Sequence, residues 1–148
     1  MAKYIGVKVV ETVMMSLAEY LHSKGLPFAD NDANAAGYRV TYPDGYVSWC
    51  PKATFEEANR PTTGMPFGHA IEALRKGLKV ARAGWNGKGM WLRIIDPHDN
   101  PYFQCTDNNP DADGTPIPWI GMKTADNKFV PWLASQTDIL ADDWMVVE

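Results

Sequence analysis

The run Gly84-Trp85-Asn86-Gly87-Lys88-Gly89 joins glycines, which free backbone amides, to a lysine that could reach phosphate oxygens. The Walker spacing fails, no Ser or Thr follows the lysine, and the run lies between two strand-like segments. A hairpin turn is therefore the simpler explanation. Asn109-Pro110-Asp111-Ala112-Asp113-Gly114 resembles the start of a calcium loop. Its first ligand position is Asn and its terminal glutamate position is Ile120, so an acidic loop fits better. His22, His69 and His98 have neither H-x-x-x-H nor Cys-plus-His spacing, and no G-x-S-x-G elbow occurs. These patterns supply no metal ligands, cofactor or catalytic residues, and the protein is expected not to be an enzyme.

The unusual feature is aromatic. Trp85, Trp91, Trp119, Trp132 and Trp144 fall in the second half with Tyr102, Phe103 and Phe129. Core filling accounts for any one of them. Five together, several beside Asn, Lys, Ser or Asp, exceed what so small a core needs. Indole rings stack on any nucleobase, while Arg82, Lys88, Arg93 or Lys123 can answer phosphate charge.

The elements that must position these residues follow from periodicity and turn chemistry. Pro61-Thr62-Thr63-Gly64-Met65-Pro66 interrupts every regular pattern and divides the chain into residues 1–62 and 65–148. Upstream, Val13, Met14, Leu17 and Leu21 predict a helix from Glu11 to Lys24, stopped by Gly25. Leu26 to Gly37 reads as a loop. Tyr38 to Tyr42 and Tyr46 to Trp49 form a hairpin around Pro43-Asp44-Gly45, and Pro51 opens a short helix to about Asn59. Downstream, Phe67, Ala70, Ile71 and Leu74 predict a helix from Phe67 to Lys76. Val80 to Ala83 and Met90 to Ile95 form one hairpin; Ile120 to Lys123 and Lys128 to Trp132 form another. Asp96 to Pro118, rich in Pro and Asp, reads as a loop. Ser135 with Asp138 caps a short helix, and Trp144 to Val147 closes as a strand. The fold class is α+β: a small antiparallel sheet with short helices, preceded by a helix-hairpin-helix module.

Composition sets the outer limits. With 148 residues, 45% apolar and 22% charged, the chain has the makeup of a globular protein. A net charge of −4 disfavours duplex nucleic acid binding through phosphate neutralisation. Cys50 and Cys105 lack a CxxC spacing and read as free thiols in a reducing compartment. The first eight residues lack an apolar signal core, and no segment approaches the ~20 apolar residues of a bilayer span. A cytoplasmic protein with no membrane association is expected.

Four blocks carry a resemblance: Phe67-Gly68-His69-Ala70-Ile71-Glu72-Ala73-Leu74, Val80-Ala81-Arg82-Ala83-Gly84-Trp85-Asn86-Gly87, Pro118-Trp119-Ile120-Gly121-Met122-Lys123-Thr124-Ala125-Asp126, and Pro131 to Trp144. In this order they resemble the Thoeris anti-defence two family, formerly a domain of unknown function, over residues 65–148. The first half resembles a separate phage family of unassigned function through Ile5-Gly6-Val7-Lys8 and Gly37 to Glu57.

The resemblance implies a phage or prophage protein, acting in the host bacterial cytoplasm, that blocks bacterial immune signalling. It implies homotetramers with ligand sites at subunit interfaces. The ligands would be cyclic nucleotide messengers of Thoeris or CBASS-type immunity, namely glycocyclic ADP-ribose and in some cases cyclic dinucleotides, sequestered unaltered. On that basis Trp85 and Trp132 are expected to stack on or flank a base. Asn86, Ser135 and Asp138 would bond base or ribose, and Arg82 or Lys123 would meet phosphate. Trp91 and Trp119 complete the candidate set. The alternatives are a hydrolase of such nucleotides, motivated by the Asp-rich loop, and a phage structural or protein-interaction module, motivated by the first half.

Overall fold

The computed structural model describes residues 2, 7–85, 87–96 and 117–148. The chain has two units, Met1–Arg60 and Pro61–Glu148. Both are α+β, and among the described residues no helix is long and apolar enough to cross a membrane.

In the first unit the order is β1 (Glu11–Ser16), α1 (Leu17–Ser23), a 3-10 turn (Asp30–Asn34), β2 (Ala36–Thr41), β3 (Val47–Pro51) and α2 (Lys52–Ala58). The strands form an antiparallel sheet in the order β1-β2-β3. The expected hairpin is β2–β3, closed by Gly45 at φ +83° and by Asp44 Oδ1, which accepts from the Tyr46 amide at 3.0 Å. The short helix after Pro51 is also present.

The helix expected over Glu11 to Lys24 is corrected: its first six residues are a strand. Thr12-Val13-Met14-Met15 pairs with β2 through Thr12–Val40 and Met14–Tyr38, adding a third strand to the hairpin. Val13 and Met14, counted toward a helix face, are 54% and 61% exposed. The true start is set by a capping box: the Ser16 Oγ accepts from the Glu19 amide at 3.2 Å, and Glu19 Oε2 accepts from the Ser16 amide at 2.7 Å. The expected stop at Gly25 holds, with the Gly25 amide on the His22 carbonyl and the Leu26 amide on the Leu21 carbonyl.

The second unit runs α3 (Phe67–Arg75), β4 (Lys79–Arg82), β5 (Trp91–Ile95), β6 (Trp119–Lys123), β7 (Phe129–Pro131), α4 (Gln136–Ile139) and β8 (Trp144–Val147). The antiparallel sheet has the order β7-β6-β5-β4-β8. These elements match the sequence expectations within a residue or two. Gly77, at φ +81°, ends α3 with the Gly77 amide on Leu74 and the Leu78 amide on Ala73, turning the chain into β4.

Alternation along the strands then sorts the side chains. Val80, Leu92 and Trp144 pack with Met65, Ala70, Ala73 and Leu74 into a buried core under α3, bordered by Ile94, Ile120, Met122 and Val146. The other face carries Trp91, Arg93, Trp119, Lys123 and Phe129, since the register pairs Trp91 with Lys123, Arg93 with Gly121 and Lys123 with Phe129. The Phe129 ring lies across Gly121, where any Cβ would collide with it. Most of the expected loop from Asp96 to Pro118, including His98, Cys105 and the calcium-like run, lies outside the described residues.

Candidate functional site

The five tryptophans of the second unit are two groups on opposite faces of one sheet. Trp85, Trp132 and Trp144 meet on the core side, edge to face, with ring centroids 5.6 to 6.5 Å apart. Phe67, at the start of α3, adds a fourth ring 5.5 Å from Trp144. Trp144 is fully buried, whereas Trp85 and Trp132 are half-buried and keep surface toward solvent. On the opposite face Trp91 and Trp119 flank Phe129 at 6.1 and 5.9 Å, and Lys79 Nζ stands 5.4 Å over the Trp91 ring.

The core-side group is joined to polar side chains. Ser135 and Asp138 form the predicted capping box of α4: Asp138 Oδ2 accepts from the Ser135 amide at 3.1 Å and from its hydroxyl at 2.6 Å, and Ser135 Oγ accepts from the Asp138 amide. The other carboxylate oxygen, Oδ1, accepts from Arg82 Nη1 at 2.9 Å and from Trp85 Nε1 at 3.4 Å. The Asp138 carbonyl accepts from Trp144 Nε1 at 2.9 Å. One aspartate thus satisfies the N–H groups of two indoles and closes a helix cap.

Arg82, the last residue of β4, lies between two acids. Its Nη1 reaches Asp138, and its Nε donates to Asp143 Oδ1 at 2.8 Å. Its hydrogen bonds to Asp143 and then to Asp138 raise the guanidinium pKa above its ordinary value. Arg82 holds the Asp143 carboxyl below the usual carboxylate range. Burial works against ionisation of Asp138, but the hydrogen bonds from Ser135, Arg82 and Trp85 outweigh it, and its pKa is also lowered. Two carboxylates against one guanidinium leave one net negative charge at the base of the tryptophan group.

Of the residues singled out in the sequence, the structure brings together Arg82, Trp85, Trp132, Ser135 and Asp138, drawn from β4, the turn after it, the residue following β7, and α4 with its N-cap. Trp91, Trp119 and Lys123 lie on the other sheet face, where Lys123 Nζ donates to the Gly89 carbonyl at 3.0 Å. Asn86 lies outside the described residues. Asp143 and Trp144 belong to the group but were not among the candidate ligands. The Trp144 pattern read as a closing strand, and nothing local to Asp143 marks a partner 61 positions away. Among the described residues no three His, Cys, Asp or Glu side chains converge as a metal-ligand group.

Comparison with known proteins identifies relatives of the second unit. The family model described as the Thoeris anti-defense 2-like domain matches residues 65–147, which lie wholly within the second unit. Thoeris anti-defense 2 of Bacillus phage SP01 is 42% identical over 90 residues, covering 57% of this chain and 97% of that protein. The family-model match spans more than half of the chain, and the chain belongs to the Thoeris anti-defense 2-like family.

Proposed function

We propose that the chain is a phage anti-defence protein that counters Thoeris-type immunity by binding a cyclic nucleotide signal, glycocyclic ADP-ribose or a cyclic dinucleotide, and withholding it unaltered. The observation that carries this reading is the convergence of half-buried Trp85 and Trp132 with Ser135, Asp138 and Arg82. Rings fixed by their neighbours and still partly open can stack on a base with little ordering cost. Adjacent Ser135 and the family relationship support the same assignment.

The charge balance orients the ligand. Because Arg82 is shared by two carboxylates, the uncharged base and ribose face the tryptophans, and phosphates lie toward cations such as exposed Lys88 in the neighbouring turn. Self-association is part of the proposal, with a homotetramer as the working state. Leu133 and Leu140, 91% and 79% exposed, flank Trp132 and α4, so an interface there would enclose the site.

The test mixes the purified chain with glycocyclic ADP-ribose and with cyclic dinucleotides, then heat-denatures the protein. Sequestration depletes free nucleotide stoichiometrically and returns it intact. Fragmented or linearised product in excess of binding sites would establish turnover, and no depletion with any nucleotide would overturn the reading. Light scattering of the same samples reads the oligomeric state, and a monomer at micromolar concentration would refute the tetramer.

A further inference from the structure

We infer that Asp143 is a positioning residue that anchors the turn bearing Trp85 and so sets the ring orientation on which ligand binding depends. The inference rests on the sequestration reading only for its consequence in binding; the anchoring itself is a matter of geometry.

The turn from Ala83 to Met90 nominally belongs to the β4–β5 hairpin, yet β5 does little to hold its base. Among the described residues the β4–β5 register comprises Val80–Leu92 alone, while β4 pairs with β8 as far as Arg82–Trp144. Past that pair, Asp143 carries the support onward in three bonds to three successive residues. Its carbonyl accepts from the Ala83 amide at 3.0 Å. Its Oδ2 accepts from the Gly84 amide at 2.8 Å, and its Oδ1 from Arg82 Nε at 2.8 Å. A Cβ at Gly84 would stand 2.8 Å from Asp143 Oδ2, so the carboxylate occupies the space a side chain would need. The far end of the turn is tied separately, through Lys123 and the Gly89 carbonyl. Trp85 follows immediately, with its amide on the Arg82 carbonyl, its ring 5.6 Å from Trp144 and its N–H toward Asp138. Loss of the Asp143 carboxylate leaves the Ala83 bond but frees Gly84, the residue that aims Trp85.

The test uses the full chain with Asp143→Ala, Asp143→Asn and Gly84→Ala. Amide hydrogen exchange is followed by NMR without ligand, and affinity for glycocyclic ADP-ribose is measured by calorimetry. Asp143→Ala is expected to speed exchange at Gly84 and Trp85 at least tenfold while Val80 and Leu92 stay protected, and to weaken binding by about tenfold. Asp143→Asn keeps one acceptor oxygen for the Gly84 amide but sets its NH2 against Arg82 Nε, so it is expected to restore part of the Gly84 protection and part of the affinity. If Asp143→Ala does not fold, Gly84→Ala serves instead, since its methyl displaces Oδ2 and should loosen the Trp85 amide in the same local way. Unchanged exchange at Gly84, or faster exchange spread evenly through the sheet, overturns the inference. So does full affinity in a variant whose turn has loosened. If the parent binds no nucleotide while the local exchange pattern appears, the sequestration reading fails and the anchoring role stands.

Discussion

Replacing Asp138 by Ala should be the most costly single truncation of a polar side chain in the second unit. The carboxylate is 13% exposed and accepts from the Ser135 amide and hydroxyl, Arg82 Nη1 and Trp85 Nε1. Loss of the capping interaction costs about 1 kcal/mol. The charge-assisted bond to Arg82 adds about 1–2 kcal/mol, toward the low end because the guanidinium keeps Asp143 and the Arg82 side chain is 18% exposed. The Trp85 N–H, left half-buried without its acceptor, adds about 0.5–1 kcal/mol. The sum, about 2.5–4 kcal/mol, corresponds to a fall in Tm of about 10–30 °C for a unit of this size. Tryptophan fluorescence follows the relevant transition, because five of the six tryptophans lie in this unit. Ser135→Ala, which removes only the cap hydroxyl, should cost about 1 kcal/mol. An Arg82→Ala and Asp138→Ala double-mutant cycle should show a coupling of at least about 1 kcal/mol. A fall of only a few degrees for Asp138→Ala, or additivity in the cycle, would refute the claim that this aspartate organises the site.

Trp85→Ala and Trp132→Ala should each weaken nucleotide binding by about 1–3 kcal/mol, while Trp91→Ala on the opposite sheet face leaves it nearly unchanged; calorimetry on folded variants checks all three, and an effect confined to Trp91 would move the site. Acid should destabilise the second unit through Asp138 and Asp143. Both carboxyls titrate below their ordinary 3.8, so their stabilisation is complete above that value and is lost as pH falls through the lower folded values. Denaturant titrations should therefore lose stability below about pH 4, and Asp143→Asn should flatten that loss; an unaltered slope counts against the pairing. Gly121→Ala should destabilise by about 1–3 kcal/mol, because its methyl would displace the Phe129 ring; a neutral result would mean that the ring is not held there.

Local chemistry was legible in the chain itself. The Pro43-Asp44-Gly45 turn, the Thr124 to Asn127 turn with Asn127 at φ +62°, the stops at Gly25 and Gly77, and the Ser135–Asp138 cap each depend on bonds spanning a few residues, and all form where their residue types require. The misread start of α1 belongs to the same class: Ser16 and Glu19 stood at capping-box spacing, but apolar residues at helical intervals ran across the true boundary, and pairing with β2 made the first six residues a strand. Composition likewise pointed to stacking aromatics, but could not say which rings would meet.

That division depends on strand parity and on sheet order. Register places Trp91 and Trp119 on one face, while Trp85 and Trp132 meet Trp144 on the other. The order β7-β6-β5-β4-β8 lays the last strand beside β4, and only this brings Asp143 and Asp138 to Arg82 across separations of 61 and 56 residues. Such pairings carry no local signature. They form because burying Val80, Leu92 and Trp144 together under α3 compensates for closing the long loop between them. The sequence alone determined the turns, caps and aromatic inventory; the tertiary structure decided which rings share a site and which acids hold its arginine.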